Sequence, residues 1–237
     1  MDSIIDVNTL FGPLPLASVD LTVETLLELM AAGGVTSACT LSTLGLLLDA
    51  NVGNAATRAA CAEYSQLMPV ATVNPSTFFG DPTPLIRLRQ DGFRSVRFFP
   101  SVQGWPIGYQ PFAAVLEILA PTGIPIMVSI NSPGEVTALQ AIAGNYPRVI
   151  LTAVDHIILP EAIAALRKHS TWMVETSRLL AIGSVKLVAD TVGAERVLFG
   201  TGAPAQSLSS ALHALQHSGV SDSDRRLILC GNAERVL

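Results

Sequence analysis

The sequence contains few charged residues and has no excess of positive charge. Only 14% of its 237 residues are charged, the formal net charge is -5, and Lys and Arg form no cluster along the chain. A protein surface that binds nucleic acid needs concentrated Lys and Arg to hold the phosphates. We therefore expect no nucleic-acid partner.

Cysteine is scarce as well, and long hydrophobic runs are absent. The three cysteines, Cys39, Cys61 and Cys230, are odd in number and far apart, which argues against a disulfide framework and a zinc knuckle. No apolar run approaches the roughly 20 residues that span a membrane. The opening Met1-Asp2-Ser3 lacks the basic start of a signal peptide. We expect a cytoplasmic protein without membrane association.

Apolar residues make up 49% of the chain, and short apolar runs alternate with segments of helical period. The predicted strands are Ile4–Asn8, Val35–Leu41, Met68–Val73, Ser95–Phe99, Ile124–Ile130, Val149–Thr152, Trp172–Glu175 and Val197–Phe199. The predicted helices are Val23–Ala32, Asn51–Ser65, Pro84–Gln90, Phe112–Ala120, Gly134–Gly144, Glu161–Lys168, Leu179–Val192, Ser207–His217 and Asp222–Cys230.

Eight strands that alternate with helices imply a parallel sheet with right-handed crossovers, buried on both faces. The predicted fold is α/β: a single (β/α)8 TIM barrel over residues 1–237, with two helices after the last strand. An open doubly wound sheet is the alternative. No Gly-rich phosphate loop follows the first strand, which disfavours that alternative.

Four segments follow one another in the order of a known pattern. Ser95–Pro100 is similar to a fourth strand of the form Val-Lys-Phe-Tyr-Pro, and Val174–Ser177 to a seventh strand of the form Val-Asp-Thr-Ser. Val192–Thr201 is similar to the eighth strand, and Asp224–Leu237 to a closing helix with a Gly-Asn-Ala signature. Together they resemble the amidohydrolase-related family of TIM barrels over nearly the whole chain.

The resemblance implies one or two divalent metals at the C-terminal mouth of the barrel. The usual ligands are two His after strand one, a His after each of strands five and six, and an Asp after strand eight. These positions here carry Asn8, Leu10, Ser129 or Asn131, Ala153 and Gly202. Such side chains bind zinc poorly or not at all. We therefore expect no metal and no other cofactor, although a local shift could bring His156 back toward the mouth.

Polar residues at the ends of the strands are the candidate site, because function concentrates there in this fold. Arg97 lies in an apolar strand and needs a counter-charge or water. It either clamps a substrate carboxylate or pairs internally with Glu175 or Asp155. The candidate proton-transfer groups are Asp155, His156 and Glu175. Asp155 could instead cap the following helix.

The remaining candidates bind substrate. Trp105 lies in a glycine-rich loop after strand four and could form an aromatic lid over a ligand, or anchor its own loop. The full set of substrate-binding candidates is Asn8, Asn74, Arg97, Trp105, Ser129, Asn131 and Arg178.

Two functions remain open. The first is a metal-independent hydrolase or lyase that acts on a small carboxylate-bearing compound at the mouth of the barrel. The second is a catalytically inactive homologue that acts as a binding or assembly protein. No Gly-x-Ser-x-Gly motif is present, which disfavours a serine hydrolase. The high apolar content leaves room for a homodimer interface that the sequence does not locate.

Overall fold

The computed structural model describes residues 3–15 and 21–237. Met1 and Asp2, on which the expectation about a signal peptide partly rests, lie outside the described residues. Eight parallel strands form one sheet in sequence order. They are β1 (Ile5–Phe11), β2 (Ser37–Ser42), β3 (Leu67–Thr72), β4 (Ser95–Phe98), β5 (Ile126–Ser129), β6 (Val149–Thr152), β7 (Met173–Glu175) and β8 (Val197–Leu198). Each overlaps a predicted strand.

Backbone hydrogen bonds between the first and last strands close the sheet into a barrel. The Val7 N–H donates to the Phe199 carbonyl at 2.9 Å, and the Gly202 N–H donates to the Asn8 carbonyl at 2.7 Å. A parallel bridge between Thr9 and Ala203 continues this pairing beyond β8. The predicted (β/α)8 barrel is confirmed, and the alternative of an open doubly wound sheet is wrong.

Helices connect the strands and cover the outside of the barrel. They are α1 (Val23–Gly33), α2 (Leu44–Leu47), α3 (Ala50–Glu63), α4 (Thr83–Arg87), α5 (Pro100–Gln103), α6 (Gln110–Leu119), α7 (Glu135–Ala143), α8 (Leu159–Lys168), α9 (Ser184–Val192), α10 (Leu208–Gln216), α11 (Asp222–Arg226) and α12 (Asn232–Val236). Within the described ranges, no helix combines the length and apolar character needed to cross a membrane.

Two differences from the predicted helices have local causes. The short helices α2 and α5 were not predicted, because each is a single turn inside a strand-to-helix loop. Helix α9 begins five residues later than predicted. The Ser184 hydroxyl donates to the carbonyls of Leu179 at 2.9 Å and Ala181 at 2.7 Å, so the preceding residues form a turn rather than a helix.

The barrel interior is apolar toward the amino ends of the strands. Ile5 and Val7 of β1 form a buried cluster with Met127 of β5, Ile150 of β6 and Met173 of β7. Strands β1 and β5 lie on opposite sides of an eight-stranded barrel, so a cluster that joins them fills its interior. Polar side chains lie at the opposite end, toward the carboxyl ends of the strands.

The C-terminal segment fastens the last strand to the barrel. A π-helical turn, Leu227–Gly231, separates α11 from α12. The Ile228 carbonyl in this turn accepts a hydrogen bond from the Phe199 N–H at 3.0 Å. The buried Asn232 amide donates to the carbonyls of Ala194 at 2.8 Å and Val197 at 2.7 Å. The Asn of the Gly-Asn-Ala signature therefore holds the start of β8 in place.

We expect Asn232→Ala to destabilise the protein by about 2–4 kcal/mol, because it removes two hydrogen bonds and leaves two carbonyls unpaired in the interior. Urea unfolding followed by circular dichroism measures this loss. Asn131→Ala is the control, because Asn131 is exposed. A loss in Asn232→Ala no larger than in Asn131→Ala would contradict the role of Asn232.

Candidate active site

Five polar side chains lie together toward the carboxyl ends of the strands, at the mouth of the barrel. They are Asp6, Asn8, Arg97, Glu175 and Ser177, and all five are buried. We call them the mouth cluster. Because buried polar groups need partners, the hydrogen bonds within this cluster show which of its atoms remain available for a ligand.

Arg97 reaches across the barrel from β4 to β1. Its Nη1 donates to the Asn8 Oδ1, and its guanidinium lies 4.5 Å from the centroid of the Phe99 ring. Its Nε is buried and has no hydrogen-bond partner in the described part of the chain. Burial lowers the pKa of Arg97 to about 10, against the opposing effect of Glu175 and Asp6, so the side chain is a cation at neutral pH.

The alternative that Arg97 forms an internal ion pair with Glu175 or Asp155 is not what the structure shows. Among the described residues, no carboxylate forms an ion pair with Arg97. Its link to Glu175 is indirect. The Asn8 Nδ2 donates to the Ser177 Oγ at 3.3 Å, and that hydroxyl donates to the Glu175 Oε1 at 2.7 Å. A hydrogen-bonded path therefore joins the cation on β4 to the carboxylate on β7.

Glu175 is held by three donors. Its Oε2 accepts from the Ser177 N–H at 2.6 Å, and its Oε1 accepts from the Ala153 N–H at 3.1 Å as well as from the Ser177 hydroxyl. Gly200 makes room for it, because a Cβ there would collide with the Glu175 Oε2 and lie 3.0 Å from the Asn8 Cβ. The carboxylate is therefore fixed in position at the end of β7.

Asp6 is a member of the cluster that sequence reasoning did not place among the site residues. Its Oδ1 accepts from the N–H groups of Asn8 at 3.0 Å and Thr201 at 3.1 Å, and its Oδ2 accepts from the Thr201 hydroxyl at 2.5 Å. Burial raises the pKa of Asp6 to about 7, although these hydrogen bonds lower it. The available signal was a carboxylate in a buried strand, two residues before Asn8.

The predicted pair of Asp155 and His156 does not form an acid/base unit. The Asp155 Oδ1 accepts from the backbone N–H groups of Ile157 at 2.9 Å and Ile158 at 3.2 Å, so Asp155 caps the turn before α8. His156 is exposed and, in the part of the chain that the structure describes, forms no hydrogen bond with Asp155. Of the three predicted proton-transfer groups, only Glu175 lies in the mouth cluster.

Several predicted binding residues lie elsewhere. The Trp105 ring is 4% exposed and packs 4.9 Å from the Phe112 ring, so it belongs to the core between barrel and helices rather than to a lid. Asn74 accepts from the Ser76 N–H at 3.0 Å and lines a cavity of about 630 Å³ between α3 and α4. Arg178 is exposed just beyond β7.

Ser129 and Asn131 lie on the β5 side of the mouth, and among the described residues neither forms a hydrogen bond with Arg97 or Glu175. The Ser129 hydroxyl shares a hydrogen bond of 3.1 Å with the hydroxyl of Thr152, which leaves it facing β6. Asn131 is exposed, and its N–H donates to the Glu135 Oε2 at 2.7 Å. Neither residue joins the hydrogen-bonded path of the mouth cluster.

The residues at the positions expected for metal ligands do not fit a divalent metal. The Asn8 oxygen is bonded to a cation, Arg97. Gly202 has a φ of +75°, and a Cβ there would lie 2.8 Å from the Gln206 Nε2, so the side chain of Gln206 fills the space of an aspartate. Over residues 3–15 and 21–237, no group of three or more His, Cys, Asp or Glu side chains could hold a metal ion.

Comparisons with known proteins agree with this architecture. A family model described as amidohydrolase matches residues 20–237. A dihydroxybenzoic acid decarboxylase from Polaromonas sp. JS666, solved with bound manganese, has a TM-score of 0.78 at 14% identity, with 100% of this chain and 97% of that chain covered. No curated protein matches the sequence significantly.

Two further solved structures are similar over 100% of this chain and 99% of their own. The 5-carboxyvanillate decarboxylase from Sphingomonas paucimobilis has a TM-score of 0.77 at 12% identity. A probable 2-pyrone-4,6-dicarboxylic acid hydrolase from Acinetobacter baumannii has a TM-score of 0.73 at 16% identity. At these identities the likeness establishes the fold alone.

Asp6→Asn tests the raised pKa. The Asp6 carboxyl titrates near pH 7 in the folded state and near 3.8 when exposed, so the folded state binds the additional proton between these values. The stability that this proton contributes is full at low pH and is lost as pH rises through about 7. Between pH 5 and pH 8, we expect the unfolding free energy of the wild type to fall about 2–3 kcal/mol more than that of Asp6→Asn.

Urea unfolding at the two pH values measures the difference. Asp222→Asn, which changes an exposed carboxyl on α11, is the control and should keep the wild-type profile. Identical pH dependence in the wild type and Asp6→Asn would show that Asp6 does not titrate in this range.

Proposed function

The chain belongs to the amidohydrolase family, and from this premise we propose that it binds a small carboxylate-bearing compound at the C-terminal mouth of the barrel. Arg97 holds the carboxylate. The observation that carries the proposal is the buried Nε of Arg97, which has no hydrogen-bond partner among residues 3–15 and 21–237. An unsatisfied donor on a buried cation is costly, so a ligand that satisfies it gains affinity.

The position of Arg97 suits a carboxylate. A guanidinium binds a carboxylate through two parallel N–H groups, and the edge formed by Nε and a terminal nitrogen is one such pair. Nη1 is already bonded to Asn8, and the Phe99 ring lies against the guanidinium. These contacts orient the plane of the guanidinium before a ligand arrives, which reduces the entropy that binding costs.

Glu175 and Ser177 are the groups that we propose for proton transfer. The Ser177 hydroxyl donates to Glu175 and accepts from Asn8, so it lies between the carboxylate and the residue that contacts Arg97. This arrangement lets a proton pass between a bound compound and Glu175 through one hydroxyl. The proposed reaction is hydrolysis or decarboxylation of the bound carboxylate compound. In decarboxylation, the bond to the carboxylate breaks, CO2 leaves and the remaining carbon takes up one proton.

The proposed reaction uses no metal. The support for this is the chemistry of the donors: Asn8 is bonded to a cation, and Gln206 fills the space beside Gly202. The names of the neighbouring structures indicate which compounds to test first. They are 2,6-dihydroxybenzoate, 5-carboxyvanillate and 2-pyrone-4,6-dicarboxylate.

A second candidate function is that of a catalytically inactive homologue that binds a ligand or a protein partner. One observation favours it. Both oxygens of Glu175 and both oxygens of Asp6 already accept hydrogen bonds within the protein. A carboxylate whose two oxygens are both bonded to protein donors has fewer lone pairs facing a ligand than one with a free oxygen.

Arg97→Lys should weaken the binding of the carboxylate compound about tenfold or more, because an ammonium cannot offer the paired N–H groups of a guanidinium. Calorimetric titration with the three compounds measures affinity, and ultraviolet absorbance of the same mixtures measures turnover. Arg178→Lys is the matched control, because Arg178 is exposed outside the cluster, and its affinity should stay within about twofold of the wild type.

The outcomes separate the two functions. Binding with turnover supports the enzyme, and binding without turnover supports the inactive homologue. Equal affinity in the wild type and Arg97→Lys would contradict the role of Arg97 in both. A wild type that binds none of the three compounds would also contradict the proposed role of Arg97.

A further inference from the structure

We infer that the Arg97 guanidinium occupies the place that a divalent metal ion has in metal-bearing members of this fold, so that the chain itself supplies the cation at the mouth of its barrel. The contacts within the protein carry this inference. It extends the proposed function by explaining how a carboxylate could be bound without a metal, but it is tested without any ligand.

The position of the Arg97 guanidinium supports this inference. Asn8 stands where the first-strand metal ligand is expected, and its Oδ1 accepts a hydrogen bond from the Arg97 Nη1. The lone pair that would face a metal therefore faces a guanidinium. Arg97 reaches this point from β4, on the far side of the barrel, so its side chain crosses the volume that the ligands of a central metal would surround.

The charges of the mouth cluster also support it. The mouth cluster holds two acidic side chains, Glu175 and Asp6, and both favour the charged form of Arg97. Neither forms an ion pair with it among the described residues. Arg97 therefore lies between the acids on β1 and β7 and compensates the charge of both. It is linked to them through Asn8 and Ser177 and does not pair directly with one carboxylate. A metal ion surrounded by acidic and neutral ligands has the same distribution of charge.

The remaining ligand positions at Ala153 and Gly202 carry no side chain that could bind a metal. Gly202 has no side chain to offer, and the Gln206 side chain fills the adjacent space. Ala153 has only a methyl side chain, which cannot bind a metal, and its backbone N–H donates to Glu175 at 3.1 Å. These groups suit a site whose cation is already bonded to the protein.

Thermal unfolding in the presence of excess MnCl2 or of EDTA tests the inference. The wild type should melt at the same temperature in both, because Arg97 occupies the cation position. Arg97→Gln keeps a polar side chain but removes the charge, and we expect its Tm to fall by about 10 °C, because buried acids lose their compensating cation. Manganese should not restore that loss, because the side chains around this point supply no set of metal ligands among the described residues.

Glu175→Gln shows whether the loss of stability arises in the cluster. The double variant Arg97→Gln/Glu175→Gln removes the opposite charges together, so it should fold and should melt at a higher temperature than Arg97→Gln. If Arg97→Gln alone does not fold, the double variant must still fold for the inference to hold.

Three results would overturn the inference. They are a rise in the Tm of the wild type or of Arg97→Gln on addition of manganese, an Arg97→Gln that melts at the wild-type temperature, and an insoluble double variant. None of these measurements involves a carboxylate compound. A failure here therefore leaves the ligand titrations to decide the proposed function on their own.

Discussion

The mouth of this barrel is organised by the need to hold one positive charge in a buried place. Removing a guanidinium from water is costly unless other groups compensate it. Arg97 is 7% exposed and has no carboxylate in direct contact among the described residues. Its compensation is distributed over Asn8, the Phe99 ring and, at longer range, Glu175 and Asp6. The placement of each of these groups follows from that requirement.

The remainder of the barrel keeps these groups in place. An apolar cluster fills the interior toward the amino ends of the strands, and the C-terminal segment holds β8 against the barrel through Ile228 and Asn232. Strand β8 leads to Thr201, which bonds Asp6, and to Gly200, which leaves room for Glu175. Strand β8 therefore connects the C-terminal segment, which stabilises the barrel, with the polar residues of the mouth cluster.

The comparison with solved structures shows that this fold is kept at low sequence identity. The backbone that carries the site is retained, as TM-scores of 0.73 to 0.78 at 12–16% identity indicate. At the mouth of this chain, Arg97, Asn8, Ser177 and Glu175 belong to one hydrogen-bonded network. Because function depends on the site rather than on the fold, the neighbours guide the choice of test compounds and do not decide the reaction.

The sequence by itself determined the barrel, because eight apolar runs separated by helical segments leave few other ways to bury both faces of a parallel sheet. It also marked Arg97, Glu175 and Asn8, because polar residues in apolar strands stand out. Only the tertiary structure showed that Arg97 contacts Asn8 rather than a carboxylate, that Asp6 and Ser177 complete the cluster, and that Trp105 and Asp155 have structural positions. Strand periodicity tells which residues are buried, whereas the pairing of side chains across a barrel depends on register and closure, which join residues far apart in the chain.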